Sequence, residues 1–261
     1  MNFQKNKLLS AFICGIAFIF STQIIAQQFK VLLITETTIW HHESIDYGII
    51  AINELGKTHN FEVSRQQKGI PITFESLIPF DAVIFLSTTG DIFNDDEQSA
   101  FEKYIQSGNG YVGIHAASDT EYEWEWYTKL VGRMFKIHPE QQTAQINIID
   151  KNFPGLEHFP DTLLFTDEWY DFYDETINDL NYLITIDENT YNPKADWSAD
   201  GKAKSDGMGN FHPIAWYHEF DGGRSFYTAL GHIDKVYENH WFLEHLYGGI
   251  YYAATGKGIY K

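Results

Sequence analysis

Three uninterrupted apolar runs of strand length, Phe29–Thr35 (FKVLLIT), Asp81–Ser87 (DAVIFLS) and Gly110–Ile114 (GYVGI), constrain this chain more than any other feature. A strand without polar alternation has no face to offer water. Each run must therefore be covered on both sides, as in a parallel sheet with helices packed above and below. The intervening segments supply the helices. His42–Lys57 carries Ile45, Ile49, Ile50 and Leu55 on a roughly helical apolar face. Asn94–Ser107 opens on acids and stops at Gly108, as the helix dipole and a C-terminal glycine favour. With Phe61–Gln67 as a further strand, the order predicts an α/β fold: an open, mostly parallel sheet with right-handed crossovers and helices on both faces.

The second half reads as strands at Thr143–Ile149, Asn181–Ile186 and Pro213–Phe220, then a hairpin at Asp221–Gly222–Gly223 leading into Arg224–Leu230. An amphipathic helix over about Val236–Ala254 closes the chain, and Asn192–Phe211, rich in Asp, Gly and Lys, reads as a long loop or lid. Nothing resembling a linker interrupts the sequence, so Gln27–Lys261 is expected to form one domain.

Residues 1–26 are expected to be a signal peptide. Lys5 and Lys7 flank the apolar stretch Leu8–Phe20, and Ala26 supplies a small residue at the cleavage point. The apolar run is shorter than the ~20 residues a membrane span needs, so an exported protein, periplasmic or extracellular, without a transmembrane span is expected. Cleavage would remove Cys14, the only cysteine, and with it any disulfide, thiolate ligand or cysteine nucleophile. The 36 acids against 18 Lys and Arg give a formal charge of −18. With no basic patch to offset that charge, nucleic acid is excluded as a partner.

Ligands of open α/β sheets sit beyond the carboxyl ends of the strands, and histidines gather there. His41 and His42 follow the first strand, His115 ends Gly110–Ile114 in a turn of small residues, and His232 follows Arg224–Leu230, while His138 falls at a sharp turn. An exposed imidazole at such a turn can move a proton or hold a metal, but it does not form an acyl intermediate as Cys or Ser would. Asp167–Glu168–Trp169–Tyr170 adds carboxylates that tune an imidazole and rings that position a sugar. His212 and Trp216, across the hairpin, are expected to line the same mouth.

These segments resemble the ThuA-like (trehalose utilisation) proteins. The resemblance rests on Trp40–Ile45 (WHHESI), Gly108–Ala116 (GNGYVGIHA), Phe135–Pro139 (FKIHP), Asp167–Tyr170 (DEWY), His212–Trp216 (HPIAW) and Gly223–His232 (GRSFYTALGH), which run in order through the chain. It implies a flavodoxin-like, class I glutamine amidotransferase-like sheet in which His115 stands where an amidotransferase has its nucleophilic Cys and His232 where its His follows a later strand. Glutaminase activity should then be absent. It further implies a small carbohydrate as ligand, a disaccharide, glycoside or keto-sugar, and a sugar dehydrogenase as a partner in the same pathway. Arg133 and Tyr252 depart from the pattern, where a glycine and a tryptophan are expected.

Two functions follow as expectations. The first is a carbohydrate enzyme, an isomerase, lyase or hydrolase, in which His115 and His232 exchange protons with the substrate and Glu168 orients an imidazole. His41, His42, His138, Asp167, Tyr170, His212 and Trp216, with Trp126, would hold the sugar. The second is a non-catalytic sugar-binding protein on the same scaffold. No cofactor is required by either, and no His-Glu-x-x-His spacing marks a metal. A divalent ion held by His115, His138, His232 and Glu168 stays open.

Overall fold

The computed structural model describes residues 27–200 and 203–258. The expected leader lies outside the described residues. Among those residues, no helix is long and apolar enough to cross a membrane. The elements run β1 (Lys30–Ile34), α1 (Ile45–His59), β2 (Glu62–Arg65), α2 (Phe74–Leu77), β3 (Ala82–Leu86), α3 (Asp95–Gln106), β4 (Gly110–Ile114), α4 (Glu125–Val131), β5 (Phe135–Ile137), β6 (Gln142–Ile148), β7 (Thr162–Asp167), β8 (Asp171–Phe172), β9 (Asn181–Asp187), β10 (Ala195–Asp196), β11 (Lys204–Ser205), β12 (His212–Phe220), β13 (Gly223–Thr228) and α5 (His240–Thr255). A nine-stranded sheet of order β2-β1-β3-β4-β13-β12-β9-β6-β7 forms the centre. From β2 to β13 neighbours are parallel, and from β13 to β7 they are antiparallel.

The apolar runs became the parallel strands for the reason their composition gives. Every residue of β3 and β4 is buried, and successive side chains leave by opposite faces. Phe85 of β3 meets Phe101 of α3 and Tyr127 of α4 at ring-centroid distances of 5.4 and 5.7 Å. Its neighbour Leu86 packs on Gly48 of α1. Thus α3 and α4 cover one face, and α1 and α5 the other. The start of α3 is fixed by a reciprocal cap, with Asn94 accepting from the Glu97 amide and Glu97 from the Asn94 amide.

Sheet order puts β7 four places from β13, ~19 Å at the usual strand spacing. Asp167, the last residue of β7, nonetheless accepts from the amides of Gly231 and His232 at 2.7 and 3.1 Å, beyond the end of β13. The antiparallel half therefore curls back over the carboxyl edge of the parallel half. That curl closes the site.

Candidate functional site

At the end of β4 the chain turns so sharply that His115 adopts a left-handed backbone, with φ of 50°. Such a conformation costs a side-chain-bearing residue of the order of 1–3 kcal/mol and persists only where its surroundings enforce it. Here the Tyr227 hydroxyl donates to the His115 carbonyl at 2.7 Å. Gly113 lets the strand pass, because a Cβ there would lie 2.6 Å from the Tyr111 hydroxyl. The residue presented at this turn is an imidazole.

His115 Nδ1 lies 2.8 Å from the Ala229 carbonyl. A carbonyl only accepts, so Nδ1 carries the proton and Nε2 presents its lone pair. Two groups can donate to that lone pair, His232 Nδ1 at 3.1 Å and the Tyr170 hydroxyl at 2.9 Å, and Glu168 Oε2 lies 3.6 Å away. Glu168 Oε2 also lies 3.1 Å from His232 Nδ1, while its Oε1 lies 3.2 Å from His138 Nδ1. His138 Nδ1 is 2.9 Å from the Pro139 carbonyl and so bears its proton, leaving Nε2 as the basic nitrogen. His42 packs edge-on to His115 and His232, at 4.8 and 5.4 Å between ring centroids.

Burial and proximity set these rings apart electrostatically. Desolvation, then the neighbouring His42 and His232, holds His115 well below the ordinary histidine value. His42 is pushed down to about 3 by burial and by His232, His138 and His41. Burial also acts to lower His232, but the Glu168 carboxylate bonded to it, with Asp167 and Asp234 nearby, turns the net shift upward. Two imidazoles in contact thus prefer opposite protonation states. Access divides them too: His115 is fully buried, whereas the side chains of His232 and His138 are 20% and 25% exposed.

Two cavities open on the cluster. One, of about 540 Å³, is lined by Trp40, His41, His42, Gln141, His232 and Lys235. The other, of about 500 Å³, is lined by His138, Gln141, Glu168, Lys194 and Trp197 among others. Gln141 borders both. The sequence did not single out Gln141 or Trp197; an indole in an Asp- and Gly-rich loop with little core to fill was the available signal for the latter.

The structure brings His42, His115, His138, Glu168, Tyr170 and His232 together, with His41 at the rim. Other expected ligands stand elsewhere. Asp167 is fully buried and accepts from the amides of Glu168, Gly231, His232 and Ile233. It shapes the loop rather than facing a sugar, and burial pushes its carboxyl up to about 7 against the pull of those amides. Tyr170 is buried, and its contact is His115 rather than the cavity. His212 donates from Nε2 to the Tyr170 carbonyl at 2.8 Å and meets Glu188 through Nδ1 at 2.8 Å, behind the cluster. Trp216 is wholly buried with its indole N–H on the Val131 carbonyl. Trp126 donates to Asp221 at the hairpin on the opposite edge of the sheet. The departures at Arg133 and Tyr252 are remote as well: Arg133 pairs with Glu175, and Tyr252 packs edge-on to Tyr217 in the core.

Comparison with known proteins agrees with the fold. A ThuA-like protein from Bacteroides uniformis superposes with a TM-score of 0.69 at 20% identity, over 92% of this chain and 94% of that one. One from Parabacteroides merdae gives 0.68 at 20% identity, over 90% and 93%. A β-galactosidase from Bacillus circulans shares the fold at a TM-score of 0.53 and 12% identity, over 87% of this chain but 31% of the enzyme. A search of curated proteins finds no match in sequence. The sequence model of the ThuA family, described as trehalose utilisation, matches residues 30–253. The chain belongs to that family.

Proposed function

We propose that this chain is an exported carbohydrate enzyme that moves a proton on a sugar carrying a carbonyl group, by isomerisation, hydration or elimination, and that it has no glutaminase activity. The observation that carries the reading is Glu168 bridging the two partly exposed imidazoles of His232 and His138. Oε2 holds His232, whose proton affinity is raised, and Oε1 holds the N–H side of His138, whose other nitrogen is basic.

His232 is placed to protonate or hydrogen-bond a sugar oxygen, and His138 to take a proton from the carbon beside the carbonyl, which the carbonyl acidifies. His115, sealed from solvent, backs His232 as a neutral acceptor rather than meeting substrate itself. This modifies the direct role expected from the sequence. Trp40 and Trp197 give each cavity an aromatic wall suited to a pyranose face. The purely binding alternative needs aromatic walls but not the histidines, and under it no candidate sugar would be converted.

The test is turnover of glucosides and their keto forms. His232→Gln and Glu168→Gln should lower kcat at least 100-fold while the sugar still binds, in line with the usual contribution of a general acid or base. Unchanged kcat in both variants would remove the assignment.

A further inference from the structure

We infer that His42, His115, His232 and Glu168 form a binding site for one zinc-like divalent ion. The inference shares its site with the proposed reaction, but it concerns binding and is measured without any sugar.

The geometry comes first. His115 Nε2, His232 Nδ1 and Glu168 Oε2 form a triangle with edges of 3.1, 3.1 and 3.6 Å. A tetrahedral zinc with nitrogen and oxygen ligands at 2.0–2.1 Å has donor-to-donor edges of about 3.3 Å. The triangle therefore has the size of one face of such a tetrahedron. One ligand atom from each of the four residues lies within 4.8 Å of every other, so His42 can supply the fourth corner with little movement.

The surroundings match what a metal site needs. His115 is locked by the Ala229 carbonyl in the tautomer that turns Nε2 to the centre, the usual outer support for a ligating histidine. Glu168 is held through its other oxygen by His138, which leaves Oε2 for the centre. His42 is 6% exposed, and its Nδ1 finds no hydrogen-bond partner among the described residues. With no such partner, that nitrogen is available to an ion.

With no ion bound, the lone pairs of His115 and Glu168 converge on one proton at His232. A bound ion would take that proton's place among the same donors, while His138 stays outside the donor set.

The experiment uses the full chain, stripped with chelator and titrated with Zn²⁺ by calorimetry near neutral pH. One equivalent should bind with a dissociation constant below about 1 µM, and protons should be released, seen as an enthalpy that varies with the buffer. His42→Ala and His115→Ala should weaken binding at least 100-fold. His138→Ala, through Glu168, should weaken it about 10–100-fold, and the exposed His158→Ala should leave it unchanged. Should the ligand variants fail to fold, Co²⁺ added to the wild-type protein must give the intense visible spectrum of a tetrahedral nitrogen and oxygen site. Absence of stoichiometric zinc binding, an octahedral cobalt spectrum, or wild-type affinity in folded His42→Ala and His115→Ala overturns the inference. Zinc bound without conversion of any sugar leaves the ion site standing and removes the reaction; conversion by zinc-free protein that binds no zinc does the reverse.

Discussion

Asp167 shows how a residue can be found for the wrong reason. Its position beside Glu168 marked it as a sugar ligand, yet its carboxylate is spent on backbone amides that fix the loop carrying His232. Replacing it with alanine strands buried N–H groups, each worth ~1–3 kcal/mol when unpaired. Asp167→Ala should therefore lose about 2 kcal/mol or more in urea unfolding; a loss under about 0.5 kcal/mol would contradict this role. His115 and His232 were legible because each follows a strand whose apolar run was legible, whereas Glu168 was found only from its own segment, two acids followed by Trp169 and Tyr170. Trp216 and His212 were misplaced because β12 is buried on both faces from His212 to His218, and a sequence does not say which neighbours a side chain of such a strand meets. Trp216 packs against Tyr227 there, 4.6 Å between ring centroids.

At the scale of elements, the parallel half was readable because strands buried on both faces leave continuous apolar text. The closing strand β7 was not read as a strand at all. Its residues alternate, with Leu164 70% exposed and Phe165 buried, and no long apolar run announces it. β5 and β8 are too short to carry a period. The final helix was expected from Val236 but begins at His240, after a 3₁₀ turn at Asp234–Glu238, and Asn239 caps it. This helix packs without clearance: a Cβ at Gly248 would lie 1.8 Å from the Pro154 carbonyl oxygen and at Gly249 2.2 Å from Phe226. Gly248→Ala must push α5 away from the Pro154 loop and should cost at least ~2 kcal/mol in thermal or urea unfolding, towards the upper part of the range for overpacked sites. At the other end of the scale, Asn94→Ala should cost only about 1 kcal/mol by removing the cap of α3.

For the whole molecule, acid stability is set partly by histidines far from the cluster. His245 of α5 is fully buried, with neither ring nitrogen partnered among the described residues. Burial pushes it down to about 3, and burial likewise pushes His218 down to about 4. The unfolded chain protonates these rings below about 6.5, whereas the folded chain does not until far lower pH, so the stability they contribute is complete above pH 6.5 and lost as pH falls towards 4. Each should steepen the decline by ~1.4 kcal/mol per pH unit, and His245→Leu should flatten the Tm profile over that range; an unaltered profile would contradict the assignment. If the chain is exported as proposed, the protein recovered from its native host should begin at Gln27, whereas an intact Met1 terminus would contradict cleavage. The central claim is that a proton moves between sugar and imidazole beside Glu168. It is tested most directly by incubating a keto-glucoside with the protein in D₂O and following by NMR the C–H next to the carbonyl. Wild-type protein should exchange that hydrogen for deuterium and His138→Ala should bind the sugar without exchanging it; equal exchange by both would contradict the account.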